Sequence, residues 1–255
     1  MTAELRKLAH RLGVAPDRLD FLAGVPAEDL RALRAQAGEM LFRADKHFFV
    51  RIAALTRAVP SVIAAKLAEL TLPPLLAART TELLDPAKAV DMCSRLPDGY
   101  LADVAAALEP SRCTGVLGTI PPARAAAIAR VLAGRKEWVV IGGFVSCMSW
   151  EAVVASVEQL NGEQLLRIAF VLEDLARLDD ITQVLTDGQL DEMVRACAQG
   201  RLWAELATVV ANLRPERAAR LGERLRAIAG ALEAARQAVA AGTFPAPALA
   251  RLTGA

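Results

Sequence analysis

Between residues 72 and 132 every twelfth position is aliphatic: Leu72, Leu84, Leu96, Leu108, Ile120 and Leu132. Two residues into most of these units sits a proline, at Pro74, Pro86, Pro110 and Pro122, while the third unit departs with Pro97 followed by Asp98. Proline is tolerated at the first position of a helix, where its missing N–H would have had no partner. A proline in every unit therefore restarts a helix in every unit. Allowing about three residues for the turn, each helix has roughly two and a half turns. A helix that short does not persist alone in water, because nucleation is costly. It must lie against its neighbours.

Two further columns keep the same phase. Small residues recur five positions into the unit (Ala77, Ala89, Cys113, Ala125) and apolar ones eight positions in (Met92, Val104, Val116, Ile128). With the repeating aliphatic they form an i, i+3/i+4 stripe on one helix face. Six aliphatics in phase with four prolines exceed what an abundance of leucine and alanine supplies. The pattern predicts an all-α fold: a superhelical stack of short helices in 12-residue units, with longer helices at both ends. Four segments follow: an N-terminal helical segment (1–58), the proline-started array (59–137), a C-terminal helical segment packed on the array (138–242), and a loose tail (243–255). One long helix is expected over 215–240, with an apolar stripe through Leu221, Leu225, Ile228, Leu232, Ala235 and Val239.

The units Leu84-Asp85-Pro86-Ala87-Lys88-Ala89 and Ile120-Pro121-Pro122-Ala123-Arg124-Ala125 resemble the repeats of the intracellular N-terminal domain of MgtE-type magnesium transporters. The segment from Leu213 to Leu225, around Pro215-Glu216-Arg217-Ala218, has the same form. The resemblance implies a right-handed superhelix of short helices. That family usually carries acidic residues just after the proline, where its domain helps to sense Mg²⁺. Here Ala87-Lys88, Ser111-Arg112 and Ala123-Arg124 stand in those places. The resemblance therefore implies a style of fold and no metal site.

Composition supports close-packed helices: 54% of residues are hydrophobic but only 4% aromatic. A formal net charge of +1 gives no long-range pull toward nucleic acid. Mean hydropathy is +0.32, yet the longest strongly apolar uncharged run, Trp138 to Trp150, falls short of the ~20 residues a membrane-spanning helix needs. The N-terminus carries Glu4, Arg6 and Lys7 without an apolar stretch, so no signal peptide is expected. Cys93, Cys113, Cys147 and Cys197 are scattered and make no zinc pattern with the two histidines. They read as reduced core thiols of a cytoplasmic protein.

Candidate sites are few. Trp138, Phe144, Met148 and Trp150 cluster beside Gly142-Gly143, as large adaptable side chains do around an apolar ligand or partner. The run is expected to be a buried helix broken at the glycine pair, which lets two helices approach. Arg217, Arg220 and Arg224 form a basic face that suits an acidic partner. Residues 2–23 have the outline of a helix-turn-helix, but Arg18 is flanked by Asp17 and Asp20, which would face phosphates. His47, beside Phe48 and Phe49, has only Asp45 near it in sequence and reads as a partly buried structural histidine. No nucleophile–base pair, metalloprotease motif or phosphate loop appears, and carboxylate pairs such as Asp179-Asp180 read as solvated charge. The chain is thus expected to be no enzyme and to need no cofactor. The leading expectation is a protein-interaction or scaffold module that holds another protein. The first alternative is a carrier or sensor of an apolar small molecule near Trp138–Trp150. The second is a DNA-binding regulator, with nucleic acid disfavoured. A homo-oligomer through the 215–240 helix is a further expectation.

Overall fold

A computed structural model describes residues 2–44, 46–200 and 202–254, and no strand occurs among them. Asp45, the one acid near His47 in sequence, lies outside the described residues. The N-terminal segment holds α1 (Ala3–Leu12), a 3₁₀ turn (Pro16–Leu22), α2 (Ala27–Ala44) and α3 (Lys46–Ala58). The array follows: α4 (Ser61–Thr71), α5 (Pro74–Thr81), α6 (Pro86–Cys93), α7 (Asp98–Ala107), a 3₁₀ turn (Pro110–Arg112), α8 (Thr114–Leu117) and α9 (Pro122–Gly134). Beyond it lie α10 (Trp138–Val145), α11 (Trp150–Val157), α12 (Gly162–Phe170), α13 (Arg177–Val184), α14 (Asp187–Gly200) and α15 (Trp203–Ala211). The chain closes with α16 (Pro215–Ala227), α17 (Ala231–Ala240) and α18 (Ala246–Thr253).

The prolines do what their chemistry dictates. Pro74, Pro86, Pro122 and Pro215 are each the first residue of a helix, and Pro110 opens a 3₁₀ turn. Pro97, one residue early, becomes the N-cap of α7. Side-chain caps add to these starts: Asp85 accepts from the N–H groups of Ala87 and Lys88, and Asn161 forms a reciprocal box with Gln164. At eight residues each, α5 and α6 have too few turns to survive singly.

They are held by stacking, in which each helix lies on the one two places further on. In one row α3 packs on α5, α5 on α7, α7 on α9 and α9 on α11. In the other α4 packs on α6 and α6 on α8; α10 on α12, α12 on α14, α14 on α16 and α16 on α18 continue the arrangement. One hydrophobic core runs through the stack from Ala64 to Leu252. The boundary expected at 137/138 therefore does not divide two cores.

A second tie repeats along the stack. The last carbonyls of a helix have no partner within it. Here a polar side chain from three helices further on supplies one. Lys88 of α6 donates to the Val59 carbonyl beyond α3. Arg124 of α9 donates to the Cys93 carbonyl at the end of α6 (3.0 Å) and to that of Leu96. Gln189 of α14 donates to the Val157 and Leu160 carbonyls at the end of α11, both at 3.0 Å. Arg220 of α16 donates to the Leu185 carbonyl after α13 (3.0 Å), and Arg251 of α18 to those of Ala211 and Leu213 after α15. Lys88 and Arg124, the basic residues two places after Pro86 and Pro122, thus act as long-range helix caps.

Three expectations need correction. The segment 243–255 is no loose tail: Phe244 and Leu252 are each 1% exposed, and α18 lies so close to α16 that a Cβ on Gly222 would sit 1.8 Å from the Leu252 oxygen. Alanine richness and two prolines read as disorder, yet Pro245 is an N-cap and Pro247 lies in the first turn. The 215–240 segment is two helices, parted at Gly230, whose φ of 76° is left-handed. And α10 runs through Gly142-Gly143 unbroken. The close approach expected there does occur, since a Cβ on Gly142 would meet the Val171 carbonyl oxygen at 3.0 Å.

Candidate functional site

The periodic columns converge on one space. Leu72, Leu84, Leu96, Leu108, Ile120 and Leu132 all line a single cavity of about 420 Å³. So do Met92, Val104, Val116 and Ile128 from the second column, and Ala77, Ala89 and Ala125 from the small one. The cavity extends inward past Phe144 and Met148 to Leu185, Met193 and Val209. Its inner end is closed, with Met193 2% and Val209 1% exposed. Its most exposed lining residues, Leu55 of α3 and Leu67 of α4 at 71% and 50%, mark the side on which it meets solvent.

The wall is neutral. It contains no Asp, Glu, His, Lys or Arg among the described residues. Its hydroxyls are mostly spent on helix carbonyls. Thr56 donates to Ile52, Thr71 to Leu67, Thr81 to Ala77, Ser156 to Ala152 and Thr182 to Leu178, all within 2.9 Å. The Tyr100 hydroxyl lies 2.9 Å from the carbonyl oxygens of both Ala68 and Leu72. Burial raises the proton affinity of that phenol, with the Glu69 carboxylate adding to the effect. Burial likewise pushes the Cys93 thiol up to about 11, so both groups stay protonated near neutrality. One wall hydroxyl is left over: Thr80, 3% exposed, has no hydrogen-bond partner for its Oγ1. A buried hydroxyl in that state costs about 1–3 kcal/mol.

The residues singled out from sequence divide. Phe144 and Met148 line the cavity; Trp138 and Trp150 do not. The reason is local: α10 ends at Val145 and Trp150 opens α11, so the four do not share a helix face. Arg217, Arg220 and Arg224 prove to be internally paired, which removes them as a free basic face. Arg217 binds Asp179 at 2.7 Å, Arg220 binds Asp187 at 2.6 Å and Arg224 binds Asp191 at 2.5 Å. Three carboxylates of α13 and α14 thus meet three guanidiniums of α16. The signal was present in the acids at 179, 187 and 191, but only the stacking order reveals that they face α16. The apolar stripe expected to mediate oligomerisation is likewise consumed within the chain: Leu221 and Ala235 are fully buried and Leu225 is 1% exposed.

The N-terminal segment has a small core of its own, formed by Leu5, Leu8, Ala9, Leu19 and Leu30. It is fastened to the stack by buried charge. Lys7, 3% exposed, reaches Glu4 at 2.9 Å, Glu173 at 3.3 Å and the Leu172 carbonyl at 3.3 Å. Arg6 lies 4.6 Å above the Phe170 ring. What would be a recognition helix is a seven-residue 3₁₀ turn with Asp17, Arg18 and Asp20 exposed. His47 is exposed rather than partly buried.

No group of three or more His, Cys, Asp or Glu side chains that could hold a metal ion occurs among the described residues. No helix among them is long and apolar enough to cross a membrane. Protein-family models, curated proteins and solved structures were all compared with this chain, and none of them matches it.

Proposed function

We propose that this protein binds an apolar small molecule inside the stack and carries or senses it, without performing chemistry on it. The observation that carries this is the cavity of about 420 Å³ with an uncharged, almost wholly aliphatic wall. Apolar wall left facing water is unfavourable by roughly 25 cal/mol per Å². Water gains little in an apolar space that offers it few hydrogen bonds. An aliphatic ligand fills it with dispersion contacts and removes its own surface from water.

The wall also narrows the ligand class. A charged group within it would be desolvated with nothing to pair it. The free Thr80 hydroxyl suits one neutral polar function, such as a hydroxyl, carbonyl or ester. The fitting ligand is therefore a long or fused hydrocarbon with at most one such function. Holding another protein through an open groove gains less support, since the basic face and the α16–α17 stripe are spent on internal contacts.

The test uses N-phenylnaphthylamine, a neutral fluorophore that brightens in apolar sites. Saturable binding is expected, with competition by long-chain alcohols. At a hundredfold excess over Kd the ligand adds about 2.7 kcal/mol to stability. Ala129→Phe, placed on the cavity wall, should abolish the signal while the helical circular dichroism remains. Thr80→Val should weaken a long-chain alcohol several-fold and leave the matching alkane unchanged. Absence of saturable binding together with an unmoved melting temperature overturns the proposal.

A further inference from the structure

Around the cavity mouth the molecule presents a different surface. On α4, Val62 is 58% exposed, Ile63 51%, Leu67 50% and Leu70 66%. These residues occupy one continuous arc of the helix, since positions 62, 66 and 70 and positions 63 and 67 are single turns apart. Leu55 of α3 is 71% exposed, and it and Leu67 both line the cavity itself. The opposite face of α4 packs inward through Ala64, Ala65 and Ala68. Solvent-facing aliphatics in such density mark a surface that is covered in use.

The charges around this surface identify what covers it. Together α3 and α4 carry four cations, Lys46, Arg51, Arg57 and Lys66, against one carboxylate, Glu69. All four are exposed. Elsewhere many cations meet carboxylates, as in the α16 ladder. Among the described residues, Arg57 donates to the Leu83 carbonyl and Lys66 pairs with Glu69 at 2.9 Å. Aliphatic side chains with interspersed lysine and arginine are the make-up of a helix lying in the interface of an anionic bilayer. Lys66 sits within the apolar arc, from which its long stem can lift the ammonium to the headgroups.

We propose that the α3–α4 face docks on an anionic lipid surface and sets the cavity mouth against it. This rests on the apolar-ligand function argued above and adds the route by which that ligand enters. Seated so, the ligand passes between acyl chains and the cavity wall without crossing water. The aqueous route would expose its whole apolar surface to water. The same docking covers the exposed leucines.

The experiment is flotation of the full chain, free of added ligand, with vesicles of phosphatidylcholine alone or mixed with phosphatidylglycerol. About tenfold stronger partitioning onto the mixed vesicles is expected at low salt, falling as salt rises. Val62→Ser with Leu70→Ser should abolish flotation, and Lys46→Gln with Arg51→Gln should remove the preference for anionic lipid. None of these four residues lines the cavity, so N-phenylnaphthylamine binding should persist in both variants. Protein that stays unbound with both vesicles while still binding the fluorophore overturns the docking proposal and leaves the ligand function standing. A stable dimer in sedimentation equilibrium, dissociated by the paired serines and indifferent to vesicles, also overturns it and assigns the face to a second copy. Flotation without any fluorophore binding overturns the ligand route instead.

Discussion

The two ends of this stack are built by the same rule and filled differently. The hollow is lined mainly from α4 to α13 and reaches Met193 of α14 and Val209 of α15. No described residue of α16 to α18 lines it, and that C-terminal half is filled. In the hollow half the column that recurs five residues into each unit is small, and Ala77, Ala89 and Ala125 face the open space. In the solid half the inward positions are large. Leu190, Leu206 and Leu221 are fully buried, and Trp203 meets Phe244 with ring centroids 5.3 Å apart. The small column is not confined to the hollow half, since Ala218 takes the same place in the Leu213 unit and is 1% exposed. The difference lies in what stands opposite the small residues, because in the filled half large side chains and close helix approach occupy that space.

The sharpest way to break the comparison is to crowd the solid half. Gly222→Val places side-chain carbon where the Leu252 carbonyl now sits, 1.8 Å from the ideal Cβ. α18 must lift away, taking Leu252 with it. A loss of about 3 kcal/mol is expected by urea denaturation, with new protease sensitivity confined to the C-terminus. A change below about 0.5 kcal/mol would show that α18 is not seated and that the terminal segment is loose after all.

A matched pair sharpens the contrast. Ala129 lines the hollow and Ala235 is fully buried in the solid half. Ala235→Leu should cost about 2 kcal/mol by overpacking. Ala129→Leu, made in ligand-free protein, should instead stabilise by about 1 kcal/mol by filling space. The sign difference is the prediction, read as opposite shifts of the urea midpoint. Two losses of equal size would mean that the hollow is closed in solution.

Smaller still is the effect of the tie that both halves share. Arg124→Ala removes donors to the Cys93 and Leu96 carbonyls and the ion pair with Asp98. About 1.5 kcal/mol should be lost, and hydrogen exchange should quicken at the end of α6, three helices away. Arg124→Lys should recover part of this, as Lys88 performs the same task with an ammonium.

How much of this was legible beforehand follows from the range of each interaction. The helix starts, the twelve-residue columns and the all-α stack come from contacts within one or two turns, and proline and leucine spacing report those directly. Of the four residues grouped around Gly142-Gly143, Phe144 and Met148 line the cavity and Trp138 and Trp150 do not. The hollow was invisible, because a column of alanine reads equally as a tight helix seam or as a void, depending on how far apart the rows stand. The long-range caps were invisible too, since each joins residues some 30 positions apart, as Gln189 joins Leu160. The same holds for the Asp179, Asp187 and Asp191 partners of α16. The buried seat of Phe244 was missed because its partner Trp203 lies far upstream.

The smallest predicted effect is electrostatic and concerns the junction where α5 meets the N-terminal segment. The Glu82 side chain is fully buried, accepting from Arg79 at 2.6 Å and from the Glu109 N–H at 3.0 Å. Its second oxygen has no hydrogen-bond partner. Burial raises its proton affinity above the ordinary carboxylate value, against the opposing pull of the Arg79, Arg112 and Arg11 guanidiniums. The folded chain thus holds this proton to a higher pH than the unfolded chain does. In the window that opens at the unfolded value and extends upward, the unfolded state binds fewer protons, so stability falls as pH rises. Below that window the contribution is fully present. Glu82→Gln removes the titration, and the stability-against-pH curve should lose this downward slope just above pH 4.5. Glu4 provides the opposing control. Burial raises its proton affinity, but Lys7, Arg34 and Arg31 outweigh that and hold its carboxyl below the ordinary value. Its contribution is present above the unfolded value and disappears as pH falls through the folded one, so Glu4→Gln should flatten the acid limb. If both substitutions flatten the same limb, the desolvation assigned to Glu82 is wrong, and the three arginines, rather than burial, govern that junction.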